Sequence, residues 1–381
     1  MSQYGFIDML KPRVSYGEVG NDGGISYYAY QSLYTMGRNN FNEAGFTQSS
    51  LASPNLVWEA NTSFGLGVDF ILWGRVNGNI DYFHRESQNL LFEVPLPISS
   101  GMESTDMNVG TMYNRGLELR VGVDAVRQND LNWNVDFNFT AYKNEFTHLP
   151  QDEIITGTKK LKEGQSIYDF WLRQWYGVDP SDGAALYYAD NTTGTGIRVI
   201  GTDTLTTDHN NALYDYSGSA IPDLLGGVTN TISYKNFQLS VLMTFQVGGK
   251  VYDGVYGGLM NSGNYGYAMH SDISGRWQNE GDVTNVPRLD SQNSTAFGAQ
   301  STRWLIDASY LNVRSVNLTY RLPANLASNL GLSSANIYLN GENLHLWSKR
   351  KGMDPAQSFA GVIVNTYTPA RIFTVGVNAN F

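Results

Sequence analysis

The sequence predicts an all-β protein whose long antiparallel strands form part of a transmembrane β-barrel. Apolar and polar residues alternate with a period of two over segments of about 10–13 residues, roughly twice the length of an ordinary globular strand. Short and long connections alternate along the chain, as they do in outer-membrane barrels. Aromatic residues make up 13% of the sequence and charged residues only 16%, against about a quarter in a typical soluble domain.

The C-terminal segment shows the alternation most clearly. Phe373, Val375 and Val377 share one face, whereas Thr374 and Asn378 share the other. An apolar face of this kind suits contact with lipid, and the polar face suits a hydrated lumen. The same pattern predicts ten strands, near residues 10–18, 62–72, 76–86, 114–126, 131–143, 226–235, 237–248, 308–322, 334–347 and 369–381.

Two strands change phase. In the strand near 308–322 the apolar positions are odd up to Val313 and even from Val316 onward, which predicts a β-bulge near Ser315. A similar slip is expected near Gly341. At a barrel tilt, about twelve residues rise roughly 30 Å, enough to cross an apolar band of about 25 Å.

The connections predict which end of each strand faces outward. Short turns are expected near residues 74–75, 128–130 and 235–236, and a helix-like stretch near 323–330. Long polar tracts cover about 86–112, 144–225, 249–302 and 348–367. All short turns fall at the same end of the strands, which is the arrangement of periplasmic turns and extracellular loops.

Composition excludes several function classes. The net charge of −10 argues against a nucleic-acid partner, which would need clustered Lys and Arg. The absence of cysteine excludes disulfides, thiolate metal sites and thiol nucleophiles. The five histidines are scattered, and no catalytic motif accompanies them. We therefore expect neither an enzyme nor a cofactor. No run of 18 apolar residues predicts a transmembrane helix, and the first residues do not resemble a signal peptide.

Two groups of residues are candidates for function. The charged residues of the polar faces are expected to face the lumen, where they could hydrate it and bind a plug, the favoured interpretation, or contact cargo. They are Asp69, Asp81, Glu118, Arg120, Asp124 and Asp136. Aromatic residues of the long loops could stack on sugar rings or peptide side chains, or could equally pack the loops on one another or on a partner. The candidates for substrate contact are Tyr168, Trp171, Trp175, Tyr187, Tyr188, Tyr252 and Tyr256.

Residues 179–183 (DPSDG) faintly resemble the start of a calcium loop. The position of the closing glutamate of an EF-hand is taken by Asp190. An Asx/Pro/Gly turn is the favoured interpretation.

An ordered set of short motifs carries a family resemblance. These are residues 10–17 (LKPRVSYG), 54–59 (PNLVWE), 108–118 (NVGTMYNRGLE), 143–145 (KNE), 163–166 (EGQS), 177–180 (GVDP), 222–223 (PD), 276–277 (RW), 308–311 (ASYL), 341–344 (GENL) and 352–355 (GMDP). Each motif alone is weak, but their joint order is specific. The chain resembles the C-terminal barrel portion of a SusC/RagA-type TonB-linked outer-membrane transporter (TonB-dependent receptor) of Bacteroidota.

The resemblance implies a barrel of about 22 strands with a plugged lumen. We therefore expect residues 1–381 to be a fragment that supplies about ten strands, without the signal peptide, TonB box, plug domain and first strands. Phe381 resembles the C-terminal aromatic residue that serves as an outer-membrane assembly signal. The implied function is the active import of oligosaccharides or peptides across the outer membrane of a Gram-negative bacterium. The implied partners are a SusD-like surface lipoprotein, TonB (through the missing N-terminal part) and outer-membrane lipid.

One alternative shares the alternation and the loop aromatics. A soluble, secreted β-sandwich or lectin-like carbohydrate-binding module would bury its apolar faces between two sheets and expose polar residues outside.

Overall fold

Ten long strands dominate the part of the chain that the structure describes. The computed structural model describes residues 5–23, 25–37, 41–149, 151–260, 266–364 and 366–381. The strands are β1 (Ile7–Asn21), β2 (Glu59–Leu72), β3 (Val76–Gln88), β4 (Thr111–Arg127), β5 (Leu131–His148), β6 (Leu224–Tyr234), β7 (Phe237–Val247), β8 (Tyr310–Arg321), β9 (Ser334–Ser348) and β10 (Ile372–Asn380). All ten predicted strands are confirmed, and several extend beyond their predicted ends.

The shorter elements lie in the connections. Three short helices are α1 (Gly254–Leu259), α2 (Ser294–Phe297) and α3 (Ala324–Asn329). Short 3₁₀ segments occupy Ile98–Ser100, His209–Asn211, Ser271–Gly275, Thr302–Trp304 and Pro355–Gln357. Short strands occupy Leu33–Met36, Phe46–Ser50, Leu91–Pro95, Ser104–Asn108, Ile154–Thr156, Lys159–Leu161, Asp169–Arg173, Trp175–Val178, Ala185–Tyr188, Ile197–Ile200, Asp203–Thr206, Tyr214–Ser219, Lys250–Asp253, Leu305–Asp307 and Val362–Ile363. Helix α3 confirms the helix-like connection. Among the described residues, no helix is long and apolar enough to cross a membrane.

The first of two compact units comprises Met1–Val121, Thr140–Thr156 and Lys160–Ile167. Its strands are neighbours in chain order from β1 to β5, and the β1–β2 and β2–β3 pairs are antiparallel. The hairpin between β2 and β3 closes with Trp73 and Gly74, both at positive φ. A small core packs around Val94, Val109, Phe146, Leu149, Ile154 and Leu161.

The second unit comprises Gly122–Phe139, Gly157–Lys159 and Tyr168–Phe381. Here the strand order in the sheet runs from the C-terminal part of β4 and the N-terminal part of β5 through β6 to β10. The pairs from β6 to β10 are antiparallel. Because each strand pairs with its neighbour along the chain, the connections at one end stay short.

The predicted bulge is present in β8. Leu242 of β7 faces Ser315 and Met243 faces Val313, so Arg314 has no opposite residue. The register between β8 and β9 shifts at the same level, which confirms the irregularity expected near Gly341. Asn343, at φ 50°, accepts a hydrogen bond from Arg314 Nη1 at 3.2 Å. The two irregularities are therefore one local feature, fixed by a side-chain bond.

The apolar faces of the long strands are open in both units. Val14 is 70% exposed in the first unit, and Val375 is 72% exposed in the second. Leu66 in the first unit and Leu339 in the second are about half exposed as well. A β-sandwich would bury these side chains under a second sheet. This exposure contradicts the lectin-like alternative and is typical of a wall covered by lipid.

The long connections of the second unit are folded and joined to one another. Strand Lys250–Asp253 pairs antiparallel with Leu305–Asp307 and parallel with Val362–Ile363. Three separate connections therefore meet in one small sheet. Buried cores form around Phe170, Leu172, Tyr252 and Trp304, and around Ala185, Tyr187 and Phe297.

Candidate functional site

The polar face of the first unit holds a charge cluster across three strands. Arg13 Nη2 of β1 lies 2.9 Å from Asp69 Oδ1 of β2 and 2.9 Å from Asp81 Oδ1 of β3. Asn79 Nδ2 donates to Asp81 Oδ2 at 2.5 Å. Gly67 lies between Arg13 and Asp81 in the register, and a Cβ atom there would stand only 2.0 Å from Asp81 Oδ1. The glycine therefore leaves room for the Arg13–Asp81 pair across β2.

The other predicted lumen residues are spread along β4 and β5. Glu118 and Arg120 are exposed in the first unit, and Asp136 is half-buried in the second. Asp124 pairs with Arg127 and accepts a hydrogen bond from Asn134 Nδ2 at 3.1 Å. Their orientation toward a lumen stays a prediction. The partners observed for Asp69, Asp81 and Asp124 are other side chains of the wall, and whether these residues also bind a plug or contact cargo stays a prediction.

Two of the seven aromatic candidates are buried in the packed interior of the loops. Tyr187 is 0% exposed, its hydroxyl donates to the Ala296 carbonyl at 2.6 Å, and burial raises the pKa of that hydroxyl. Tyr252 is 6% exposed, and burial raises its pKa to about 12. Burial leaves Tyr187 no surface for cargo in this structure, so the expectation of substrate contact is corrected for that residue. The ring of Tyr252 still reaches the wall of a cavity.

Three further candidates pack against other loop side chains. Tyr168 meets the ring of Phe359 edge-on at 5.0 Å. Trp171 contacts Tyr216 at 4.9 Å between ring centroids. Trp175 meets the buried Tyr187 at 5.3 Å. These contacts fit the interpretation that the aromatics hold the loops together, although each of the three rings keeps some exposed surface.

Tyr188 is the exposed member of the set, and Tyr256 is half-buried. Tyr188 is 37% exposed and forms an edge-on pair with Tyr176 at 5.5 Å. The Tyr256 hydroxyl donates to Asp272 Oδ2 at 2.8 Å. Burial and this carboxylate both raise the pKa of Tyr256.

Two cavities open in the loops of the second unit. The first, the Trp304 cavity, has a volume of about 440 Å³ and is lined by Tyr252, Trp304, Ser294, Thr295, Gln300 and several glycines. None of the described residues that line it is charged. Aromatic rings beside hydroxyl and amide groups suit a neutral polar ligand such as a sugar or a peptide backbone.

The second, the Arg350 cavity, has a volume of about 290 Å³. Its lining includes Asp253, Tyr256, His270, Arg350, Lys351 and Gln357. Unlike the Trp304 cavity, it brings several charged groups together. Sequence reasoning missed Asp253 and Arg350, because they come from loops separated by almost a hundred residues.

Residues 179–183 form an arginine-clamped turn. Asp179 Oδ1 accepts from Ser181 N at 2.9 Å, and Asp182 Oδ1 accepts from Ala184 N at 3.0 Å. Arg198 bonds to both carboxylates. Burial acts to raise the pKa of Asp179, but the bonds from Ser181 and Arg198 hold it below its usual value. Arg198 neutralises the two carboxylates that a calcium ion would need. This supports the interpretation of residues 179–183 as a turn. Within the described ranges, no group of three or more acidic or histidine side chains could hold a metal ion.

Arg303 was also missed by sequence reasoning. Its guanidinium lies 4.3 Å from the centre of the Trp304 ring and 4.8 Å from that of Trp175. It donates to the carbonyls of Asn285 and Phe297. Burial lowers its pKa to about 10. Arg303 thus ties the loop that carries the Trp304 cavity to the neighbouring aromatic residues.

Comparison with known proteins gives consistent relatives. No family model matches the chain. The TonB-dependent receptor P26 of Formosa agariphila is 28% identical over 410 residues, which cover 98% of this chain and 40% of the relative's length. The TonB-dependent receptor SusC of Bacteroides thetaiotaomicron is 26% identical over 393 residues, which cover 98% of this chain and 37% of that protein.

Solved structures agree with the sequence relatives. The RagAB peptide importer in its closed-closed state matches 100% of this chain and 42% of that chain, with a TM-score of 0.86 and 25% identity. Its open-open state matches with a TM-score of 0.82. The chain spans about 40% of the length of the curated relatives it matches. The resemblance to SusC/RagA-type TonB-dependent receptors is therefore confirmed, and the long strands correspond to part of a transporter barrel.

Proposed function

We propose that this chain forms wall strands and outer loops of an outer-membrane transporter that imports oligosaccharides or peptides. The match of the whole chain to the RagAB peptide importer, with a TM-score of 0.86, carries this proposal. The open apolar faces support it, since a wall surrounded by hydrocarbon needs no protein cover. Charges of the polar faces form ion pairs at Arg13 with Asp81 and at Asp124 with Arg127, which suits an aqueous path.

The proposed partners are a SusD-like surface lipoprotein and TonB. Support for the lipoprotein comes from the connection between β1 and β2 in the first unit. This connection exposes Tyr27, Met36, Phe46 and Trp58 by 70% or more. Exposed apolar patches of this kind mark protein–protein contacts. The TonB contact is proposed from the resemblance alone.

A depletion experiment tests import while the identity of the cargo is still open. A strain that lacks the protein and a complemented strain are grown in a defined mixture of oligosaccharides and tryptic peptides. Mass spectrometry then records which compounds leave the medium. We expect a set of compounds to stay in the medium of the deletion strain and to be removed again after complementation.

Energy coupling is tested in the same assay. A protonophore added to the complemented strain should stop removal of that set, because TonB-linked transport draws on the inner-membrane proton gradient. Identical depletion by the deletion and complemented strains would contradict import. Continued removal after the gradient collapses would contradict coupling through TonB.

A further inference from the structure

The Arg350 cavity differs from the Trp304 cavity in its charge. Arg350 and Lys351 supply two cations to its lining, and Asp253 supplies one anion. The chain as a whole carries −10, so a cavity with a cationic excess stands out. We propose that this cavity binds a carboxylate group of the imported cargo. The inference rests on the proposed function and adds the chemical class of the cargo.

The cavity is built on the ordered ends of wall strands. Strand Lys250–Asp253 starts three residues after β7, and Arg350 follows β9 by two residues. Pairing of Lys250–Asp253 with Val362–Ile363 holds another part of the lining in place. Asp253 and Arg350 thus lie within a few residues of long sheet strands, which limits their movement.

Asp253 fixes the position of Arg350. The Asp253 carboxylate is buried, with 4% of its side chain exposed, and its Oδ2 lies 2.5 Å from Arg350 Nε. Its Oδ1 accepts from Tyr256 N at 3.0 Å. The guanidinium carbon of Arg350 lies 3.5 Å from the centre of the Tyr256 ring. The Asp253 carboxylate beside Nε and the Tyr256 ring on one face hold the guanidinium in place. The guanidinium also interacts with the Tyr256 hydroxyl, and its five N–H groups leave further donors for another acceptor.

Lys351 adds a second cation to the lining of the Arg350 cavity. Its side chain is exposed, and no ion pair to it occurs in the part of the chain that the structure describes. His270 also lines the cavity, and its Nδ1 accepts from Asp272 N at 3.2 Å. In the neutral ring this places the proton on Nε2, so His270 offers a donor. Asp272 is itself engaged by the Tyr256 hydroxyl.

A carboxylate matches these donors in shape and charge. A guanidinium binds a carboxylate through two parallel N–H bonds, and an ammonium group beside it adds a point charge. A neutral hydroxyl or amide would gain no charge–charge attraction from Arg350 or Lys351. A volume of about 290 Å³ admits one acidic sugar unit or one acidic side chain, not a whole oligomer.

The test compares matched probes on the complete outer-membrane protein that contains this chain, purified in detergent. Trigalacturonate and its fully methyl-esterified form represent sugars, and an Ala-Ala-Asp peptide and its diamide represent peptides. Calorimetry measures each dissociation constant. We expect at least one acid to bind about tenfold more tightly than its neutral form. The pair that shows the difference identifies the source of the carboxylate.

Two lysine variants separate the cavity from general charge. Lys351→Gln should weaken the acidic probe about five- to tenfold and leave its neutral form unchanged. Lys349→Gln removes the same charge from an exposed residue two positions away that does not line the cavity, and should change binding less than twofold. Both residues are exposed, so both variants should fold. Arg350→Lys keeps the charge without the two-pronged geometry and should also weaken the acid.

The proposal is overturned if neither acid is preferred over its neutral form. It is also overturned if Lys351→Gln and Lys349→Gln weaken binding equally. Import itself is judged separately by the depletion experiment. If the strain removes compounds from the medium while its protein shows no preference for the acids, only the carboxylate site is contradicted and the import proposal stands.

Discussion

Single residues decide how this chain accommodates charge. Gly67 lacks the side chain that would separate Arg13 from Asp81, so three strands can share one ion cluster. A larger residue at position 67 would meet the Asp81 carboxylate. The alternation predicted that Asp69 and Asp81 share a polar face. The role of Arg13 depends on the register between β1 and β2, which alternation alone does not define.

Lys159 is the clearest titratable group in the second unit. Its ammonium nitrogen lies 3.2 Å from the centre of the Phe170 ring and donates to the Tyr168 carbonyl at 2.5 Å. Burial lowers its pKa to about 7, although Asp169 acts in the opposite direction. The unfolded chain, with the ordinary pKa near 10.5, therefore binds more protons than the folded one between these values.

Local stability around Lys159 should consequently rise as the pH increases from about 7 to about 10.5. Hydrogen–deuterium exchange of the detergent-solubilised protein measures this in the peptide that spans residues 157–172, after correction for intrinsic rates. We expect slower exchange at pH 9 than at pH 7. Lys159→Met should remove the pH dependence between pH 7 and pH 9, because it removes the group whose pKa burial lowers into this range.

Lys162→Met provides the control for this experiment. Lys162 is exposed, so its replacement should leave the pH dependence of exchange intact. Protection that falls as the pH rises, or a dependence that survives Lys159→Met, would show that Lys159 is not buried as described.

At the scale of elements, the strands were predictable and the loop packing was not. Alternation located all ten strands, because one apolar face repeats every second residue. Even the bulge at Arg314 left a signal, since the apolar phase changes between Val313 and Val316. Strand ends were less predictable. β5 runs to His148, past the predicted end at 143, because its outer part pairs and packs in the polar loop region.

Loop aromatics carry no periodic signal that tells packing from binding. Tyr187 and Tyr188 are adjacent in sequence, yet Tyr187 is buried and Tyr188 exposed. Burial of Tyr187 depends on Phe297 and Trp175, which come from distant segments. Arg303 and Arg350 were missed for the same reason. Their partners are set by how the connections meet, which a single sequence does not reveal.

The two faces of β10 should respond differently to the same charge. Val375→Arg would place a cation on the open apolar face, at a cost of up to about 2–4 kcal/mol against lipid. Thr374→Arg places it on the opposite face, beside Asn340. We expect Val375→Arg to lower the fraction of protein that shows heat-modifiable gel migration after extraction from the membrane. Thr374→Arg should lower it little, and equal losses would contradict the assignment of faces.

At the scale of the whole molecule, composition and the ordered motifs led to the correct class of protein. Low charge content and abundant aromatics favoured extended structure with a large apolar surface. Similarity over 98% of the chain to TonB-dependent receptors then confirmed the resemblance. The cavities at Trp304 and Arg350 could not be predicted from the sequence, because the lining of each combines several loops.

If these strands form a membrane wall, hydrocarbon covers their apolar faces. The chain contains no cysteine, so single spin labels can be introduced at Val14 and Val375 and, as controls, at Ser15 and Thr374 on the opposite faces. Paramagnetic resonance in native outer membranes then compares collisions with oxygen, which concentrates in lipid, and with a water-soluble nickel complex. We expect labels at Val14 and Val375 to favour oxygen and the control labels to favour nickel. Nickel access at Val14 and Val375, or exclusion of both reagents there, would show that water or protein covers these faces instead of lipid.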